Sequence, residues 1–159
     1  MDYHIDRDYI IETLTHLVRI NSVNPSLSAD GKGEAEIGTT VADALSTLGL
    51  TVSTQEIETG RVNVVGVLKG SGNGRSLLLN AHMDTVGVQG MVIDPFGAEI
   101  QDGRLYGRGA LDMKGSLAAM LGAAKALVDG SVELAGDLLV TAVADGNMPA
   151  SELSISFSR

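Results

Sequence analysis

Along "DRDYIIETLTHLVRI" the apolar residues Ile10, Leu14, Leu17 and Val18 recur at the three-and-four spacing of one helical face. Acidic residues open the stretch, where they suit the positive end of a helix dipole. "NSVNPS" stops it, because Pro25 restricts Asn24 to extended conformations. The pattern predicts a second helix over about residues 34–48, with Ile37, Val41, Ala44, Leu45 and Leu48 on one face. Gly49 follows where a C-terminal capping glycine belongs. The period then drops to two. "TVSTQEI" and "RVNVVGVLKG" alternate as strands, with "ETG" as the turn between them and "GSGNG" as a second turn. "SLLLNAH" is apolar without alternation, which predicts a strand buried on both faces, and "DLLVTAVA" predicts another. Between them, "AEIQDGRLYGRG" reads as a hairpin turning at Asp102-Gly103, and a third helix is expected over roughly residues 114–128, ending before Gly130.

The predicted order is α, α, β, β, β, hairpin, α, β. Buried strands with intervening helices imply an α/β fold, a mixed sheet with flanking helices. The 159 residues suffice for one domain with one core, and no repeat or linker divides them. One change of character occurs at Asp145. Residues 1–145 are expected to form a partial catalytic domain, and residues 146–159, "GNMPASELSISFSR", an aberrant tail.

Composition narrows the chemistry. Aromatic residues are only 3%, so the core must rest on Leu, Val, Ile, Ala and Met. Cysteine is absent, which removes disulfides, thiol catalysis and Cys-held zinc, and leaves any metal to His, Asp or Glu. The net charge of −9 and the lack of a Lys/Arg cluster argue against a nucleic-acid partner. The opening "MDYHIDRD" is polar and acidic, unlike a secretory signal. The most apolar helical stretch, "SLAAMLGAAKALV", is too short to span a bilayer and contains Lys125. No membrane partner is expected and the default location is cytoplasmic; nothing in the sequence fixes an oligomeric state.

Two stretches could carry chemistry. In "NAHMDTV", His82 and Asp84 are two apart, at the C-terminal end of a predicted strand, where open α/β sheets bind ligands. Both would share a face if the strand runs that far. Asp84 could instead orient His82, since a metal-holding imidazole needs an acceptor for its other nitrogen. In "GRLYGRGALDMKGS", Gly107 and Gly109 free the backbone on either side of Arg108, and Asp112 precedes the third helix. Asp112 is either that helix's N-cap or a metal ligand whose two oxygens could bridge two ions. "GSGNG" precedes a strand and is no dinucleotide loop, and "DMKGS" lacks the P-loop spacing. His4 and His16 have no carboxylate partners in the pattern and are expected to be structural or solvent-facing.

Taken together, "SVNPS", "NAHMDTV", "DPF" and "DGRLYGRGALDMKGSLAAML" resemble the two-zinc amidohydrolases of the acetylornithine deacetylase, succinyl-diaminopimelate desuccinylase, aminoacylase and carboxypeptidase G type, over nearly all of residues 6–145. The resemblance implies the N-terminal portion of a zinc-exopeptidase-like catalytic domain without its lid domain. It implies hydrolysis of the amide bond of an N-acyl amino acid or small peptide. By the same resemblance His82 and Asp112 are metal ligands and Asp84 is the catalytic carboxylate behind His82. The implied cofactor is Zn2+, two ions in a complete site, with Co2+ or Mn2+ as alternatives for nitrogen and oxygen ligands.

The chain departs from that pattern at one place. The family continues from a buried strand into Asp-Glu-Glu, the first Glu a general base and the second a zinc ligand. Here Gly146 and Asn147 follow Asp145. Deleting one A from a coding of Asp-Glu-Glu-Tyr-Ala-Ser-Ile-Gly-Thr-Glu regenerates the residues from Asp145 to Ser154, so a frameshift is the expected origin of the tail. On this reading the chain alone is inactive. The alternative is a non-catalytic fragment or interaction module on the same scaffold, complementing a separate C-terminal half.

Overall fold

A computed structural model describes residues 4–29 and 31–146. The expected tail, including Asn147, lies outside the described residues. The element order is the predicted one. Helices α1 (Arg7–Arg19) and α2 (Ala35–Thr47) come first, then strands β1 (Thr51–Glu58), β2 (Arg61–Leu68) and β3 (Leu77–His82). The hairpin β4 (Glu99–Gln101) and β5 (Arg104–Tyr106), helix α3 (Gly115–Asp129) and strand β6 (Leu138–Val143) follow.

Local chemistry explains the boundaries. The Asp6 carboxylate accepts from the Tyr9 N–H at 2.9 Å and caps α1. Gly49 takes φ 84° after α2, the left-handed conformation that a side chain disfavours. Asp102 and Gly103 both have positive φ, as a two-residue hairpin turn requires.

Four strands form a mixed sheet in the order β1-β2-β6-β3. β2 is antiparallel to β1 and β6, whereas β3 runs parallel to β6, from Leu77 opposite Leu138 to His82 opposite Val143. The three helices pack on this sheet through one cluster that includes Leu17, Ile37, Leu45, Val64, Leu121 and Val140. Gly38 and Gly66 lie where α2 and β2 press together, and a Cβ at Gly66 would sit 2.9 Å from Leu45.

One expectation is corrected. β6 is buried along its whole length, but β3 is not. Among the described residues β3 is the last strand of the sheet, and Leu77 and Leu78 are 57% and 50% exposed. The apolar run forms the expected strand, but no described element covers its start at Leu77 and Leu78. No helix among the described residues is long and apolar enough to cross a membrane.

Candidate functional site

The parallel pairing of β3 with β6 brings their C-terminal ends together, and the site forms there. His82 is the last residue of β3, and its ring is gripped from both sides. Nδ1 lies 2.9 Å from Asp84 Oδ1 and 3.1 Å from the Asp84 carbonyl oxygen. Nε2 lies 3.1 Å from Asp112 Oδ1. Asp84 sits beyond the strand end, and its carboxylate turns back to His82 Nδ1. Hydrogen bonding to Asp84, then the further Asp84 and Asp112 interactions, outweigh burial and raise the His82 pKa to about 9. Burial pushes the Asp84 carboxyl up, but hydrogen bonds from His82 and Asn24 overcome it and hold the group below its ordinary value.

Asp112 is not the N-cap of α3. It lies in an irregular turn over residues 110–114, with non-helical backbone at Asp112 and Met113, and the Asp112–Met113 peptide is cis. Its side chain is 85% exposed apart from the contact with His82. The turn is fastened by Lys114, whose wholly buried ammonium donates to the Leu17 and Ile20 carbonyls at 2.9 and 2.8 Å. Both carbonyls lie at the C-terminal end of α1, a natural place for a cation, and the Leu17 oxygen also accepts from the Ile20 N–H at 3.3 Å. Burial alone lowers the Lys114 pKa to about 8.

Behind Asp84 runs a second row of polar groups. The Asn24 amide donates to Asp84 Oδ2 at 2.8 Å and to Asp145 Oδ2 at 3.3 Å. Arg61 Nη2 lies 3.7 Å from Asp145 Oδ2 and donates to the Ala144 carbonyl at 3.2 Å, while its Nε meets Glu34 Oε2 at 2.9 Å. Asn63 accepts from the Ala144 N–H at 2.9 Å. The exit of β6 is thus tied to β2, and Asp84 to both. Asn24, Glu34 and Arg61 carried no signal of this role in the sequence. The extended conformation imposed on Asn24 by Pro25 was the nearest clue.

The cleft over this site has a volume of about 570 Å³, and His82, Asp84, Arg108, Asp112 and Gly146 are among the residues that line it. Gly146 lies directly over the His82 ring, where a Cβ would be 3.1 Å from Cδ2. His82 and Asp112 have the separation expected of two donors on one small cation, whose bonds run about 2.0–2.2 Å. No group of three or more His, Asp or Glu side chains that could hold a metal occurs among the described residues. The donors present fit one edge of a coordination shell and stop short of a full one. His4 and His16 are exposed, as expected.

Residues 78–146 match the model of Peptidase family M20/M25/M40. That segment of the chain belongs to this family. It contains β3, the Asp112 turn, α3 and β6, and so every residue of the His82–Asp84–Asp112 group. The chain is 40% identical over 108 residues to an N-formyl-4-amino-5-aminomethyl-2-methylpyrimidine deformylase of Bacillus subtilis, covering 65% of this chain and 25% of that protein. It is 32% identical over 143 residues to a succinyl-diaminopimelate desuccinylase of Wigglesworthia glossinidia brevipalpis, covering 87% of this chain and 35% of that protein. Among solved structures, an M20 family metallo-carboxypeptidase, Sso-CP2 from Sulfolobus solfataricus, aligns with a TM-score of 0.73 at 27% identity, over 85% of this chain and 30% of that one. The chain therefore spans about a third or less of the length of these M20 proteins and relatives. Within that span the α/β architecture of the M20 segment is shared.

Proposed function

We propose that this chain carries part of the active site of a metal-dependent hydrolase that cleaves the amide bond of an N-acyl amino acid or small peptide. His82 and Asp112 hold the metal, zinc foremost, and Asp84 orients His82 and fixes which ring nitrogen faces the ion. Residues 1–145 act as the partial catalytic domain. The observation that carries this reading is the His82 ring, with one nitrogen at 2.9 Å from Asp84 and the other at 3.1 Å from Asp112. An imidazole backed by a carboxylate and faced by a second one is the arrangement a metal-binding histidine uses. The relatives named above, a deformylase and a desuccinylase, both remove acyl groups.

Among the described residues the donors stop at two, and Gly146 has no side chain to move a proton at the position that overlies His82. We therefore assign no hydrolytic step to this chain alone, and infer that it is inactive by itself. The test is Co2+ absorption on the purified chain, read beside a deacylation assay with N-acetyl amino acids. A visible Co2+ band that His82→Ala or Asp112→Ala abolishes, with no deacylation, is the expected result. A Co2+ spectrum indifferent to both substitutions refutes the ligand assignment. Zinc-dependent turnover by the unaltered chain refutes the inactivity.

A further inference from the structure

His82 and Asp112 stand on segments far apart in the chain, and both segments are tied to one short stretch. On the His82 side, the Ser22 hydroxyl donates to the Met83 carbonyl at 2.7 Å. The Thr85 N–H donates to the Ser22 carbonyl at 3.0 Å, and the Asn24 N–H to the Thr85 carbonyl at 2.9 Å. On the Asp112 side, the Lys114 ammonium donates to the Leu17 and Ile20 carbonyls at 2.9 and 2.8 Å. The end of α1 and the residues after it thus form a spacer that grips the exit of β3 with one part and the Asp112 turn with the other. Met113 adds a third tie, from the His82 N–H to its Sδ at 3.3 Å, but a thioether is a weak acceptor.

Lys114 is wholly buried, and its stem runs beneath Gly109, where a Cβ would lie 3.2 and 3.3 Å from Lys114 Cδ and Cε. Its N–H donates to the Gly109 carbonyl at 2.9 Å and closes the turn over residues 110–114. The Asp112 side chain is exposed apart from its contact with His82, so its place is inherited from the backbone of that turn. An apolar side chain would fill the space of the Lys114 stem without the cost of burying a charge. What the ammonium adds is direction, because charge-assisted hydrogen bonds to two carbonyls of one helix end hold the turn at one distance and one angle from α1. We infer that Lys114 is a positioning residue, which acts through Asp112, and that its anchorage on the end of α1 sets the separation between Asp112 and His82. This inference rests on the ligand assignment proposed above for its meaning in metal binding, and adds the residue that keeps the two donors within reach of one ion.

The experiment reads the isotope-labelled 159-residue chain by NMR without metal, and then by titration with Co2+. In the unaltered chain, a nuclear Overhauser contact is expected between the His82 ring and the Asp112 β-protons, with hydrogen-bond couplings from Lys114 Nζ to the Leu17 and Ile20 carbonyl carbons. Lys114→Met is expected to lose the ring contact and to weaken Co2+ binding roughly tenfold or more, as removing the support behind a metal ligand does. Asp112→Ala weakens Co2+ binding as far, and the double variant no further, because both substitutions remove the same donor. The chain has no cysteine, so aminoethylation of Lys114→Cys rebuilds a stem of the same length with its ammonium, and restores the contact. A folded Lys114→Met that keeps the ring contact and the Co2+ affinity and loses only stability would overturn the inference. Additive losses in the double variant, missing Lys114 couplings in the unaltered chain, or a folded aminoethylated chain without the contact would do the same. If Lys114→Met does not fold, Lys114→Gln, whose amide still donates from a shorter stem, is read by the same criteria. An unaltered chain that binds no Co2+, but whose ring contact still depends on Lys114, leaves the positioning role standing and counts only against the ligand assignment.

Discussion

β3 and β6 are neighbours with nearly the same text, "LLLNAH" and "LLVTAV", paired residue for residue. Their fates differ. β6 has a strand on each side and is buried throughout, and its exit is clamped by Arg61 and Asn63 from β2. β3 has one strand neighbour, and its first two leucines are about half exposed. Yet β3 delivers His82, and the chain leaving β6 places Gly146 over its ring. The comparison separates two duties. The central strand supplies stability, and the edge strand presents chemistry.

The clamp on β6 is where the contrast should break most severely. Arg61→Met leaves the wholly buried Glu34 carboxylate without its partner and frees the Ala144 carbonyl. Removing one member of a buried ion pair costs about 3–5 kcal/mol. A chemical-denaturation midpoint close to that of the unaltered chain would show that the clamp is dispensable. Next, truncation should separate the strands directly. Leu139→Ala in β6 removes a side chain that is 2% exposed and is expected to cost about 2–5 kcal/mol, whereas Leu78→Ala in β3 should cost under about 1 kcal/mol. Equal losses in matched urea melts would erase the distinction.

The site at the end of β3 adds a smaller, pH-dependent contribution. His82 binds its proton more tightly folded than unfolded, with a pKa of about 9 against 6.5. Its contribution to stability is therefore complete below about pH 6.5 and is lost as pH rises through about 9. Lys114 acts in the opposite sense. Its folded value of about 8 lies below its ordinary 10.5, so its burial cost is relieved as pH rises across that window. The difference between the chain and His82→Asn, melted at a series of pH values, cancels the Lys114 term. That difference should shrink from pH 6 to pH 10, and a constant or growing difference would show that His82 is not held by Asp84 and Asp112 as the distances imply. Smallest in stability is the open edge. Leu78→Lys should leave the melting temperature within a few degrees while reducing self-association, because a charge on an edge strand discourages further strand pairing. Light scattering unchanged by the substitution would indicate that this edge is already protected.

Much of this molecule was legible in its residues. The Ile37–Val41–Leu45 stripe and Gly49 located α2, and Asp102-Gly103 located the hairpin, because these signals are local and chemical. His82, Asp84 and Asp112 were legible because few residue types do such chemistry and they sit at an element end or in a turn. What stayed hidden was everything that depends on neighbours. Leu77 and Leu78 are the same amino acid as Leu138 and Leu139, and only the sheet order decides which pair is covered. Asp112 read equally as a helix cap or a ligand, and only the turn at residues 110–114 shows that it does not cap α3 and faces His82. Asn24 lies sixty positions from Asp84, and Arg61 more than eighty from Ala144, so no window along the chain contains either pair.

The central claim is that His82 and Asp112 are two ligands of a metal site with no third among the described residues. Calorimetric titration of the demetallated chain with Zn2+, beside the double variant Gly146→Glu/Asn147→Glu, tests it most directly. The account predicts weak binding by the chain, lost in His82→Ala, and a gain of roughly tenfold or more in the double variant. Tight binding of two zinc ions by the unaltered chain, or a double variant that binds no better, would contradict it.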